Sequence, residues 1–292
     1  VFHVQWAKGL ADWMWVKEFG VKLVLSLRGA HINYSPIANL ELAAMYRQHF
    51  PQVDGFNAVS HAIAKEATTY GAPAHRIKVV YSGLPQFDSQ VDAAIEADIE
   101  VLDSESGESK PLHIISVGRP HWIKGYTYAL DACNILKQAG FSFKYTIIGA
   151  SDDIELLYQI HDLNLQDEVC LSEQQPFETV EGLMQNADIL LLPSVEEGIA
   201  NVVLEAMALG TLVLSTNCGG MAEVITDSQN GFLVPIRNSE AIAKAVMHIT
   251  ALSLERKLEI LKSAQNTILE QHTENQMTSG MIGLYQEVLN CT

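Results

Sequence analysis

The residues with the most chemistry to offer lie between Leu192 and Gly210, in the run LPSVEEGIANVVLEAMALG. A strand ends at Leu192, and a loop with one glycine follows. Asn201 is a natural N-cap for a helix over Val202 to Leu209, and Gly210 is of the type that ends one. The free N–H groups of Gly198, Ile199, Ala200, Asn201 and Val202 would then face outward from a helix N-terminus, which favours an anion such as a pyrophosphate. Glu197 stands in the loop and Glu205 one turn inside the helix. An acid among apolar neighbours needs a hydrogen-bond partner once buried. The two hydroxyls of a ribose would serve, and so would a structural Arg or a backbone group. A second segment, SVGRPHWIKG from Ser116 to Gly125, follows another strand. Gly118 permits a tight turn there, and Arg119 and Lys124 sit five apart across the loop. One diphosphate could take a forked contact from Arg119 and a point charge from Lys124; both also suit an ordinary surface loop. A third segment, STNCGGMAEVI from Ser215 to Ile225, places paired glycines after a strand. They make a plain turn or a close backbone approach to a ligand.

These loops need strands to end where they begin. Strand-like runs alternate with helix-like runs along the chain. Val21 to Leu27, Phe56 to Ser60 and Ile77 to Tyr81 form one set. Leu112 to Val117, Tyr145 to Ile148, Val169 to Leu171, Ile189 to Leu192, Leu212 to Ser215 and Gly231 to Val234 form another. The helical pattern from Tyr126 to Ala139 puts Ala129, Leu130, Cys133 and Leu136 on one face. Alternating β and α elements predict parallel sheets covered by helices, with ligands at the carboxyl ends of strands. Phe87 to Lys110 holds eight acids and no base before Lys110, and reads as a solvated linker or a weak acidic helix.

Together the three segments resemble the family-four group of retaining GT-B glycosyltransferases. That family carries a Gly-Arg…Lys-Gly loop, a Glu-(seven residues)-Glu motif and a following TxxGGxxE segment. Upstream, residues 58–60 and 79–84 look like its VS and IPNG segments, which extends the resemblance to nearly the whole chain. The resemblance implies an α/β GT-B fold of two Rossmann-like doubly wound domains facing a cleft. Residues 1–86 would be a partial, acceptor-side N-terminal domain, 87–110 an acidic linker, 111–272 the donor-binding domain, and 273–292 a helix crossing back. The chain starts at Val1 inside a strand-like run and reads as N-terminally shortened. The implied reaction moves a sugar from a UDP- or GDP-sugar to an acceptor hydroxyl, with retention of configuration and with no metal or other cofactor. Arg119 and Lys124 would hold the donor diphosphate, with Glu197 on the transferred sugar, Glu205 on the ribose, and residues 198–202 supplying backbone N–H groups. His3 resembles a strand-end histidine of the acceptor side. Arg28 stands where the family commonly has His, and Arg28 and His31 would face acceptor or donor sugar.

Composition bounds the alternatives. The formal net charge of −17 argues against an electrostatic nucleic-acid binder. It also argues against a broad polybasic membrane surface, though not against a local contact by the N-terminal domain with the inner face of a membrane. No apolar run approaches the ~18 residues of a membrane span, and no signal peptide is visible. Cys133, Cys170, Cys218 and Cys291 lie too far apart for metal-ligand spacing and read as free thiols of a reducing, cytoplasmic compartment. The adjacent pair Asp152 and Asp153 reads as a helix start rather than a metal site. The expected partners are a nucleotide-diphosphate sugar and a sugar or lipid-linked acceptor in polysaccharide or glycolipid synthesis. The alternative is a non-catalytic nucleotide-sugar-binding module or an inactive fragment. A GT-B-type sugar-nucleotide epimerase is a third reading, against which the motif set argues.

Overall fold

The computed structural model describes residues 1–85 and 110–290. All but Lys110 of the acidic stretch, and Cys291, lie outside these residues. Two parallel sheets organise the chain. The first holds β1 (Phe2–Val4), β2 (Leu23–Leu27), β3 (Gly55–Ala58) and β4 (Ile77–Val79) in sequential order. The second holds β5 (Leu112–Val117), β6 (Phe143–Ile148), β7 (Val169–Ser172), β8 (Ile189–Leu192), β9 (Leu212–Thr216) and β10 (Phe232–Val234). Its order, β10-β9-β8-β5-β6-β7, is that of a doubly wound dinucleotide-binding sheet, with the switch point between β5 and β8. The two expected parallel α/β sheets are therefore observed, but the strand order reverses only in the second; the first runs sequentially, without a switch point.

Strand alternation explains the layers. In the second sheet Ile114, Ile147, Ile189, Leu191 and Leu214 enter one buried cluster. Their neighbours Ile115, Ile148, Leu190, Leu192 and Val213 enter the cluster on the opposite face. A strand buried on both faces must be apolar throughout, as β8 is. The helices that cover these faces include α5 (Tyr126–Gln138), which buries Ala129, Leu130, Cys133 and Leu136 as its periodicity predicts. Next come α6 (Ile154–Asp162), α7 (Phe177–Gln185) and α8 (Asn201–Leu209). Asp153 caps α6 by accepting from the Leu156 N–H at 2.9 Å.

In the first sheet, Leu23, Leu25 and Leu27 of β2 face a core shared with the helical segment Ala30–Asn33 (α1), Ser35–Ala38 (α2) and Leu40–His49 (α3). His61–Thr69 (α4) lies on the same side and is capped by Ser60, which accepts from the Ile63 N–H at 3.1 Å. Val24 points the other way and would be bare but for the end of the chain. After α9 (Ser239–Thr250) and α10 (Leu254–Gln271), α11 (Glu274–Asn290) lies across that face, burying Leu284 and Val288 against Val24. Lys78 and Glu287 pair at 2.6 Å on the same contact.

Candidate functional site

The carboxyl ends of β1, β2, β3 and β4 all point at the carboxyl ends of β5 and β8. A cleft of about 730 Å³ opens between them. Its first wall carries His3, Arg28, Asn57 and Tyr81, and its second carries Val117, Lys124 and residues 197–202. Each group arrives by the strand-end logic of parallel α/β sheets.

The loops after β5 and β8 meet there. Lys124 Nζ donates to Glu197 Oε1 at 2.7 Å, and Ser194 Oγ donates to the same oxygen at 3.0 Å. Both Lys124 and Glu197 are largely shielded from solvent. The two groups assigned to diphosphate and sugar thus neutralise one another across the mouth of α8. Gly118 ends β5, and its carbonyl accepts from Tyr126 OH at 3.0 Å. Arg119, expected beside Lys124 on the diphosphate, is exposed but is not among the residues that line the cleft, and it has no side-chain hydrogen bond or ion pair among the described residues. A smaller hollow of about 350 Å³ begins at the next residue in the chain, Pro120, and is lined also by Gly149, Ser151, Asp152, Asp153 and Gln174 after β6 and β7.

The start of α8 differs from the sequence expectation. Ala200 is the N-cap, with extended backbone, and Asn201 is the first helical residue. The Asn201 side chain therefore does not cap the helix; it is exposed and lines the cleft. No side chain caps the helix start, and residues 198–202 line the cleft there, leaving orphan N–H groups at that end of α8. Glu205 is half-buried on α8 but lies outside the residues that line the cleft. No described side chain donates to it. Burial, then the negative charge of Glu181, raises its carboxyl above the ordinary range.

The paired glycines act on protein rather than directly on open space. Gly219 adopts φ +51°, and a Cβ there would clash with the Glu197 carbonyl oxygen. The Gly220 N–H donates to the Gly198 carbonyl at 2.8 Å. The third segment thus presses on the loop that carries Glu197. Thr216 Oγ1 adds a bond to the Ser194 carbonyl.

On the opposite wall His3 Nδ1 lies 2.8 Å from Tyr285 OH of α11, and Nε2 lies 2.9 Å from Ser26 Oγ. Burial, then Arg28, lowers the His3 pKa below its ordinary value. Arg28 donates to Gln5 Oε1 at 2.8 Å and lies over the Trp6 ring. The His31 ring packs against Trp6 at a tilt of 52° with ring centroids 4.6 Å apart, and its pKa is lowered by burial and then by Lys8. His31 does not line the cleft, so the structure brings together only His3 and Arg28 of that trio.

Sequence reasoning assigned no role to Asn33, Glu196 or Glu223. Asn33 Nδ2 donates to Glu196 Oε1 at 2.8 Å and lies 3.4 Å from the Glu197 carbonyl. Burial, followed by Glu197, raises the Glu196 carboxyl above its ordinary range. Glu223 accepts from the N–H groups of His61 and Ala62 at 2.7 and 2.9 Å.

Residues 98–267, more than half of the chain, match the family described as glycosyl transferases group 1. The chain belongs to the glycosyl transferases group 1 family. Among its relatives, the amylovoran biosynthesis glycosyltransferase AmsK of Erwinia amylovora is 32% identical over 256 residues. That alignment covers 85% of this chain and 60% of AmsK, so the chain spans well under the whole length of that relative. A glycosyltransferase from Rickettsia africae ESF-5 has a similar structure, with TM-score 0.78 and 21% identity over 100% of this chain and 78% of that one. Anabaena HepE in complex with UDP and glucose gives TM-score 0.79 at 20% identity, covering 97% and 77%. These likenesses establish the GT-B fold for this group 1 glycosyl transferase. Among the described residues, no helix is long and apolar enough to cross a membrane.

Proposed function

We propose that this chain binds a nucleotide-diphosphate sugar in the cleft and transfers the sugar to an acceptor hydroxyl with retention of configuration. The observation that carries the reading is the meeting of Lys124 and Glu197 at 2.7 Å over the uncapped N-terminus of α8, with Arg119 exposed and unpaired in the same loop as Lys124. A diphosphate entering there gains Arg119, Lys124 and the helix N–H groups as donors. Its nucleoside extends along α8 toward Glu205. The sugar then lies against Glu197, facing His3 and Arg28. As the glycosidic C–O bond breaks, the diphosphate leaves with the electron pair, and the positive groups around it stabilise its charge. The acceptor hydroxyl attacks from the same face, its oxygen bonds to the anomeric carbon, and its proton passes to the oxygen of the leaving diphosphate. Polysaccharide assembly as the setting is supported by AmsK, and a UDP-sugar donor by HepE, whose structure holds UDP and glucose.

On this reading protein groups alone neutralise the leaving diphosphate, so chelation by EDTA should leave turnover unchanged. Exposed Trp13, Trp15 and Phe19 at one end of the first domain support contact with a membrane interface. The test is a panel of UDP- and GDP-sugars screened for protection against thermal unfolding, followed by transfer to lipid-linked sugars with the anomer read by NMR. Transfer with inversion would refute retention. Protection without transfer or donor hydrolysis would favour a binding module.

A further inference from the structure

Glu223 lies in the second domain, at the end of the turn Met221–Glu223. Its carboxylate reaches across to the first domain and takes the two leading N–H groups of α4, from His61 and Ala62. Those amides have no partner inside their own helix. Tyr81 OH, also from the first domain, donates to Glu223 Oε2 at 3.2 Å. A carboxylate on a helix N-terminus is favoured by charge as well as by hydrogen bonding. Three residues before Glu223, Gly220 is bonded to the Gly198 carbonyl, and Gly219 lies against the Glu197 carbonyl. The backbone there is too close for any side chain, so a shift of Glu223 is passed to the Glu197 loop rather than absorbed. On its other side the loop is held by Asn33 of the first domain.

We infer that Glu223 is a positioning residue: seated on the His61 and Ala62 amides, it clasps the two domains together and sets the Glu197–Gly198 loop in its working shape. The inference rests on the role of Glu197 proposed above. Amide exchange, read residue by residue by NMR on the full chain, tests it. In the parent the His61 and Ala62 amides should exchange slowly. Glu223→Ala should speed both at least tenfold, and Gly220 with them. The Ile63 amide, bonded to Ser60 within α4, should keep its rate and so report an intact helix. Glu223→Gln, which keeps the size and loses one acceptor oxygen, should release one of the two amides. In donor turnover, Glu223→Ala should lower kcat at least tenfold with KM nearly unchanged.

Fast exchange of His61 and Ala62 already in the parent, or equal rates in parent and both variants, would overturn the clasp. Release of these amides with Gly220 and kcat unchanged would overturn the link to Glu197. Titration of the parent with UDP and GDP reports on the donor site separately. Absence of binding there would sink the functional reading and leave the amide result standing.

Discussion

Glu197 and Glu205 belong to one motif, yet their surroundings give them different work. Glu197 is paired with Lys124 and Ser194 and faces the cleft. On the proposed reading its contact with the sugar changes as the sugar gains charge, so Glu197→Gln should lower kcat more than it changes donor KM. On the same reading Glu205 serves the nucleoside end, where contacts are equal before and during reaction, so Glu205→Gln should mainly raise donor KM. Steady-state kinetics with varied donor separates the two. Glu205 also carries a stability signature. Its carboxyl is raised by burial and by Glu181, so the native state binds that proton more tightly than the unfolded state does. The favourable contribution is fully present below the ordinary glutamate range and is lost as pH rises through the raised value. Glu205→Gln should therefore raise the Tm at pH 7, and the gain should vanish below the ordinary glutamate range. Paired melting curves check this. The meeting of Lys124 and Glu197 was legible in the sequence because short spacings after strand ends fix where the two stand. Asn33 and Glu223 were not, since Glu196 lies 163 residues beyond Asn33 and the His61 amide 162 before Glu223.

At the scale of elements, the strands were legible wherever apolar runs are buried on both faces, as in β5, β8 and β9. The segment from Ala7 to Phe19 was not, because it folds as a 3-10 helix whose exposed tryptophans break the helical period. The helix starts were read only in part. Asn201 has the type of an N-cap, but the tight loop from Glu197 places Ala200 in the cap position and releases the Asn201 side chain to the cleft. Asn201→Ala should therefore change stability by less than about 0.5 kcal/mol while weakening donor binding. Ser60→Ala removes a working cap and should cost about 1 kcal/mol. Urea unfolding of the two variants gives both values, and an equal loss would restore Asn201 as a cap.

At the scale of the molecule, the last helix joins the halves. Leu284 is buried against β2 and β3 rather than against the sheet that precedes it in sequence. Leu284→Ala should cost about 2–4 kcal/mol and speed hydrogen exchange in β2 and β3, leaving residues 112–250 unchanged. The sequence made the two sheets legible, but the faces that meet across the cleft depend on packing that no local pattern records. That cleft is the centre of the functional reading, and its chemistry reduces to charge at one diphosphate. Calorimetric titration of the chain with UDP and GDP, beside Arg119→Ala and Lys124→Ala, measures it most directly. Each lost charge-assisted contact is worth about 1.5–3 kcal/mol, so binding in each variant should weaken roughly ten- to hundredfold, with the circular dichroism spectrum unchanged. Equal affinity in the parent and both variants would contradict a donor diphosphate held by Arg119 and Lys124.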